Sequence, residues 1–191
     1  MQWVERLQEV TGWAQPRQQG DWAPTEAELG VSLPEDYKEL CARFELGSFS
    51  AYASVLRDGG SDSLVANWRL IRRTAEQFEH VAGTYNPCGP YGPSTGKGLI
   101  LWGRSQTEAE YYWHAHGSVS PDQWKVVARA DSLSGWNEFE MSASEFMYHV
   151  VADPEFGAFS AKMDRPFYLP STQVITSGED LDAWIRRFHP E

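Results

Sequence analysis

The hydrophobic pattern of this 191-residue chain changes its period after residue 98, and this change constrains the fold more than any other feature. Residues 99–102 form a compact apolar run, residues 110–116 form an aromatic run, and residues 124–128 and 136–141 follow as two more. Runs of this length and spacing predict β-strands. Because the links between them are short and polar, we expect an antiparallel meander.

Residues 25–46 predict two consecutive helices ahead of these strands. Thr25 and Glu28 have the spacing of a capping box, and Gly30 is placed to end the first helix. Ser32 and Glu35 repeat the spacing, and Pro34 suits the first position of the second helix. Four residues at i, i+3, i+4 and i+7 predict its buried face: Tyr37, Leu40, Cys41 and Phe44. The sequence therefore predicts that Cys41 is a core residue rather than a reactive thiol.

The remaining segments predict further helices and strands around this centre. Helices are expected at residues 2–11, 74–81, 142–152 and 177–188; the third is capped by Ser142 and the last by Ser177. The third helix has a predicted inner face of Phe146, Met147, Val150 and Val151. Residues 49–55, 64–71 and 173–176 favour strands. Residues 85–98 contain three prolines and four glycines, which predicts a loop.

Charge and composition restrict the classes of partner. The chain has 27 acidic and 16 basic residues, a formal net charge of −11, and this charge repels nucleic-acid phosphates and anionic membranes. We therefore expect a protein partner with a basic surface, and neither nucleic acid nor membrane. The two cysteines form no disulfide framework and no paired zinc spacing, and no cofactor is expected. No signal-peptide pattern opens the chain, so a cytoplasmic location is expected.

Several motifs occur in an order that resembles the SUKH superfamily. These are residues 28–30 (Glu-Leu-Gly), 33–38 (Leu-Pro-Glu-Asp-Tyr-Lys), 98–103 (Gly-Leu-Ile-Leu-Trp-Gly), the aromatic strand around Trp113, and the strand and helix from Trp136 to Phe146. The resemblance covers about residues 20–152. Residues 45–47 (Glu-Leu-Gly) depart from the polar, glycine-rich turn usual after the family's Tyr-Lys helix, and the 85–98 loop is longer than a minimal member needs.

The resemblance implies an α+β fold: a curved antiparallel sheet of about four to six strands, flanked by helices and without a catalytic centre. It implies a domain at residues 1–152, and we expect residues 153–191 to add a strand and a helix packed on the same core. Bacterial members of the superfamily bind and neutralise toxins, so the resemblance implies an immunity protein that binds a basic toxin domain. A regulatory or scaffold protein of the same fold is the alternative.

The candidate partner-binding residues lie where acidic and large aromatic residues occur together. Tyr and Trp contribute contact area at interfaces and carboxylates attract a basic partner. The set comprises Glu108, Glu110, Tyr111, Tyr112, Trp113 and His114. Because side chains alternate along a strand, we expect about half of this set to lie in the core.

A small metal-dependent hydrolase is a further alternative. His114 and His116 alternate on one predicted strand, and a third ligand would come from His80, His149, Asp122 or Asp131. Glu108 with Glu110, and Glu138 with Glu140, form same-face carboxylate pairs that acid–base chemistry could use. Residues 92–98 superficially resemble a phosphate-binding loop, but Gly98 stands where a Ser or Thr is required and Pro93 lacks an N–H. We therefore expect an ordinary loop there.

Overall fold

The computed structural model describes residues 2–15, 18, 20–59, 62–78 and 88–189. The helices are α1 (Gln2–Thr11), α2 (Ala23–Leu29), α3 (Glu35–Arg43), α4 (Leu64–Gln77), α5 (Ala143–Ala152) and α6 (Gly178–Phe188). The strands are β1 (Gly47–Phe49), β2 (Ala53–Val55), β3 (Lys97–Ser105), β4 (Glu110–His116), β5 (Lys125–Arg129), β6 (Asn137–Phe139) and β7 (Tyr168–Pro170). Short 3-10 helices occur at Pro121–Gln123 and Gly157–Phe159.

The seven strands form one open antiparallel sheet in the order β6-β5-β4-β3-β2-β1-β7. The predicted α+β class and the meander of β3 to β6 are confirmed. The sheet has one strand more than the upper end of the predicted range. Within the described part of the chain, no helix is long and apolar enough to cross a membrane.

The core lies between one face of this sheet, which we call the inner face, and a layer of helices. Trp113 of β4 meets Tyr37 of α3 edge to face, with ring centroids 4.8 Å apart. Tyr111 of β4 meets Phe146 of α5 in the same way at 5.0 Å. The helix α1 packs on α3 and α5. The predicted buried faces of the two central helices are confirmed, since Tyr37, Leu40, Cys41, Phe44, Phe146, Met147, Val150 and Val151 are all buried.

The helix ends are confirmed in part. Ser142 accepts a hydrogen bond from the N–H of Glu145, and Ser177 accepts one from Asp180, as the capping spacing predicts. Gly30, with φ of +71°, ends α2. The two capping boxes predicted in the N-terminal part of the chain, at Thr25 and at Ser32, are wrong. Thr25 is buried inside α2, which starts one turn earlier with Pro24 in its first turn, and α3 follows Pro34 without a side-chain cap.

Two predicted strands are also wrong, and the predicted strand at 49–55 is instead a hairpin, in which a turn joins β1 to β2. Residues 64–71 belong to α4, which is capped by the Ser63 hydroxyl and buries Leu64 and Trp68 at helical spacing. The predicted helix start at Thr74 is the last turn of α4, and Val81 lies outside the described residues. The C-terminal strand is Tyr168–Pro170 rather than 173–176, because Tyr168 is buried whereas Val174 is 73% exposed.

The described part of the predicted 85–98 loop is fixed along β3. Residues 89–92, which we call the strap, run beside the first half of β3 where β2 has ended. The N–H of Tyr91 donates to Leu99 at 3.0 Å and the N–H of Leu99 donates to Gly89 at 2.8 Å. The buried indole of Trp68 donates to the Tyr91 carbonyl at 2.9 Å. A tight turn and then a strand follow the strap, so this segment has no helix N-terminus to cradle a phosphate.

Residues 153–189 contribute to the same sheet and core. The strand β7 pairs with β1, and the ring of Tyr168 lies 5.0 Å from those of Trp13, Phe44 and Phe49. Trp184 of α6 donates its indole N–H to the Tyr168 carbonyl at 2.8 Å. This segment therefore completes the sheet beyond β1 and covers part of the core.

The two thiols are expected to differ in reactivity. Cys41 is 4% exposed, and burial raises the pKa of its thiol to about 11. At pH 8 only about one thousandth of it is thiolate, the reactive form. Cys88 is exposed. We expect a maleimide reagent at pH 8 to label one thiol per native chain and two per chain in urea. The variant Cys88→Ser should show no native labelling, and rapid labelling of that variant would contradict the burial of Cys41.

Candidate protein-binding face

The strand β4 presents two different faces. It pairs with β3 on one side and with β5 on the other, so its side chains alternate across the sheet. Tyr111, Trp113 and Ala115 point to the inner face. The opposite side we call the outer face; it carries Glu110, Tyr112, His114 and His116 of β4, Lys125 and Arg129 of β5, Glu138 of β6, and Glu140.

The three aromatic residues of the predicted binding set are packing residues. Tyr111 and Trp113 are 0% and 1% exposed, in contact with the helix layer. Tyr112 points to the outer face, but it is only 4% exposed because Trp136 lies against it at 5.4 Å. This corrects the expectation that these side chains offer contact area to a partner. They anchor β4 instead, and the partner-binding prediction is left with Glu108, Glu110 and His114.

Glu110 forms part of a compact polar cluster on the outer face. Its carboxylate accepts hydrogen bonds from Arg129 Nε at 2.6 Å and from the Tyr112 hydroxyl at 3.0 Å. The Arg129 guanidinium lies over the ring of Trp136 at 5.1 Å. Burial, followed by the charge of Glu110, raises the pKa of Tyr112. The hydroxyl therefore stays protonated as a donor, and the charge of Glu110 is balanced by Arg129.

A second cluster on this face has more acids than bases. Lys125 Nζ lies 2.8 Å from Glu138 and 2.6 Å from Glu140, and His114 Nδ1 lies 3.8 Å from Glu138. The hydrogen bond from Lys125 lowers the pKa of Glu138, and the two carboxylates raise the pKa of Lys125. Glu138 thus stays ionised at neutral pH, and the two acids share one ammonium. This cluster therefore has two acidic side chains and one lysine.

Glu108 lies beside the first cluster, in the turn between β3 and β4. Its φ of +68° is unusual for a residue with a side chain. The Ser105 hydroxyl accepts hydrogen bonds from Thr107 and Ala109 and fixes the turn. Glu108 and Glu110 line the same open cleft of about 390 Å³, together with Arg104 and Arg129. Arg104 is paired with Asp62, whereas Glu108 has no ion-pair partner among the described residues.

The side chains predicted for a metal site are not brought together in the described part of the chain. His114 and His116 do share the outer face, but across the described ranges no three His, Cys, Asp or Glu side chains are grouped as a metal site. Asp122 accepts the N–H of Glu35, and His149 pairs with Asp153 on α5. Asp131 accepts hydrogen bonds from its own turn, and His80 lies outside the described residues.

The carboxylate pairs are also poorly suited to acid catalysis. A general acid at neutral pH needs a raised pKa. In the described part of the chain, the carboxyl groups with a resolved shift are Asp62, Asp131, Glu138 and Asp180, and the pKa of each is lowered by hydrogen bonds. Glu110 and Glu140 each contact a cation. On the outer face, the hydrogen bond from Lys125 therefore holds Glu138 as a carboxylate rather than as a proton donor.

Sequence reasoning missed the bases and the aromatic support of this face. Lys125 lies in the predicted strand at 124–128, and Arg129 directly follows that range. The two residues are four positions apart in β5, so both fall on one face. The register then places Lys125 opposite His114 and Arg129 opposite Glu110. The role of Trp136 as a cover for Tyr112 has no signal in the sequence, because it depends on the path of the β5–β6 link.

Comparison of the chain with models of protein families, with curated proteins and with solved structures gave no match. The resemblance to the SUKH superfamily therefore stays a prediction that depends on the motifs in the sequence.

Proposed function

We propose that this protein is a non-enzymatic, cytoplasmic binding module, and specifically an immunity protein that neutralises a toxin by occluding a basic surface of it. The observation that carries the proposal is the excess of acidic over basic side chains on the outer face and in the adjoining turn. Glu138 and Glu140 share Lys125, and Glu108, beside the Glu110–Arg129 pair, has no ion-pair partner among the described residues. This arrangement favours a cationic partner over an anionic one.

The acidic side chains of the outer face are both accessible and held on rigid strands, as a binding surface requires. Their exposure is 49% at Glu138 and 78% at Glu140. The strands that hold them are fixed by the buried rings of Tyr111 and Trp113 below. A rigid surface loses little conformational entropy on binding, and a chain with a net charge of −11 accelerates encounter with a basic protein.

The proposal is tested first by co-expression. The product of the neighbouring gene is expressed in a bacterial host, with and without this protein, and growth is measured. We expect the neighbouring product to arrest growth, and we expect this protein to restore growth and to co-purify with it. Arrest without rescue and without a complex would refute the immunity proposal. Recovery of a resident cellular protein as the stable partner would instead favour the regulatory or scaffold alternative.

The role of the outer face is tested by removing charge at constant shape. The triple variant Glu108→Gln, Glu138→Gln, Glu140→Gln should bind the toxin with an association rate about tenfold lower at low salt, because steering by these carboxylates is lost. A variant with Glu5→Gln and Glu9→Gln is the control, since both residues are exposed on α1 in the helix layer. Stopped-flow measurements at increasing salt would show the difference shrink. Equal association rates for the two variants would refute this surface.

A further inference from the structure

The sheet has two edges, and they are not equivalent. At one edge, β7 contains Pro170, which has no N–H to donate to an added strand. The carbonyl of Tyr168 in the same strand accepts the indole N–H of Trp184, at 2.8 Å. This edge is thus blocked by a proline and by a contact from α6, two common means of protecting a sheet edge.

The edge at β6 lacks such protection. Its backbone pairs with β5 through Asn137, Glu138 and Phe139, and no other described residue forms a backbone hydrogen bond with these three. Alternate N–H and C=O groups of an edge strand point away from its neighbour and are available to another chain. The described part of the chain therefore leaves one edge of the sheet open.

The strand β6 is anchored to the core by the ring of Phe139. The ring of Phe139 lies 5.1 Å from Phe146, 5.5 Å from Phe156 and 5.6 Å from Phe159. An added strand would therefore meet a fixed template rather than one that must order on binding. Leu133, in the link between β5 and β6, is 95% exposed.

The acidic side chains beside the β6 edge determine which kind of strand can pair with it. Glu138 of β6 and Glu140, which directly follows this strand, both contact Lys125 on the outer face. Across a strand pair, like charges repel and opposite charges attract. Two copies of this chain joined through β6 would bring these carboxylates together, and each copy has a net charge of −11. The edge therefore disfavours self-association and selects a strand with Lys or Arg on one face.

We propose that the partner binds by β-addition: a strand with alternating basic side chains pairs with the open edge of β6 and places those side chains against Glu138 and Glu140. The identity of that partner as a basic protein rests on the proposed function. The backbone hydrogen bonds provide general affinity, and the two carboxylates select the cationic face.

A short synthetic peptide can test β-addition at β6 even though the natural partner is not known. The probe is acetyl-Lys-Val-Lys-Val-Lys-Val-amide, and the controls are the same peptide with Glu in place of Lys and one with a central proline. Binding is followed by amide chemical shifts and hydrogen exchange of the full chain. We expect saturable shifts at residues 136–140 and at least about tenfold slower exchange of one β6 amide, for the basic peptide only. Shifts confined to Lys125 and His114, without slower exchange in β6, would overturn β-addition, as would an equal response to the acidic or proline-containing peptide.

Two proline variants test the backbone contact directly. Successive N–H groups of a strand point to opposite edges, so one of Asn137→Pro and Glu138→Pro removes an outward N–H and the other removes one that points towards β5. The variant that keeps the native unfolding temperature should lose peptide binding at least about tenfold. Retained binding in that variant would overturn the proposal. If both variants unfold, the proline-containing peptide decides the same question from the partner's side.

The outcomes separate this inference from the proposed function. Specific peptide binding at β6 without growth rescue would retain β-addition and refute the immunity role. Growth rescue that persists in the folded proline variant would retain the immunity role and refute β-addition.

Discussion

Replacement of Gly98 by alanine is expected to destabilise the protein by at least about 3 kcal/mol. Gly98 has a φ of +129°, which residues with a side chain rarely adopt. A Cβ atom at this position would lie 2.6 Å from the carbonyl carbon and oxygen of Pro90 and from the N of Tyr91. These are backbone atoms of the strap, which cannot turn aside like a side chain. The strap must therefore move off β3, and the contact between Trp68 and the Tyr91 carbonyl is lost with it.

Thermal unfolding measures this effect. For a chain of this length, such a loss lowers the melting temperature by about 10 °C. Gly135→Ala is the matched control, because its added Cβ has no neighbour within 4 Å and its backbone is unstrained. We expect the control to stay within about 0.5 kcal/mol of the parent. Equal stability of the two variants would show that the strap does not pack on β3 as described.

The elements that the sequence predicted well are those whose signal is local. Strands β3 to β6 have compact apolar runs joined by short links, and each strand pairs with the next one along the chain. The helix α5 has both a capping serine and an apolar face at helical spacing. In these cases the hydrophobic pattern and the cap indicate the same structure, and tertiary packing does not oppose them.

Two elements were missed for different reasons. Residues 64–71 follow a capping serine, Ser63, and their apolar residues Leu64, Val65, Trp68 and Ile71 have helical spacing, so α4 had a local signal that the strand prediction overlooked. The strand β7 is three residues long and forms by pairing with β1, about 120 residues earlier. That pairing has no signature within a local window.

The candidate site also shows what strand alternation can and cannot predict. Strand alternation predicted that part of the acidic-aromatic stretch would be core, and Tyr111 and Trp113 are core. Strand alternation could not predict that Tyr112, on the opposite face, is also buried, because the ring that packs on Tyr112 belongs to Trp136, in the link before β6. Alternation fixes the side of the sheet on which a residue lies, whereas its exposure depends on loops whose path the pattern does not determine.

Removal of residues 153–191 is expected to abolish cooperative folding, although the family resemblance ends near residue 152. The removed segment contributes Phe159, Phe167, Tyr168 and Trp184 to the core, each of them at most 8% exposed. Loss of one such aromatic side chain costs about 3–5 kcal/mol, and the whole stability of a domain is about 5–15 kcal/mol. The losses together exceed what the remaining chain can offset. Circular dichroism and urea unfolding of residues 1–152 should show a broad, non-cooperative transition.

A point variant tests the same packing in the full chain. Tyr168→Ala should lower the free energy of unfolding by about 3–5 kcal/mol, since its ring lies against Phe44, Phe49 and Trp13. Tyr168→Phe keeps the ring and loses only the hydrogen bond from its hydroxyl to the Glu45 carbonyl, which is worth about 1 kcal/mol. A sharp unfolding transition in residues 1–152, together with a small effect of Tyr168→Ala, would show that residues 1–152 form an autonomous domain. The opposite pair of results would show that β7 and α6 are integral to the fold, because they close the core beside β1.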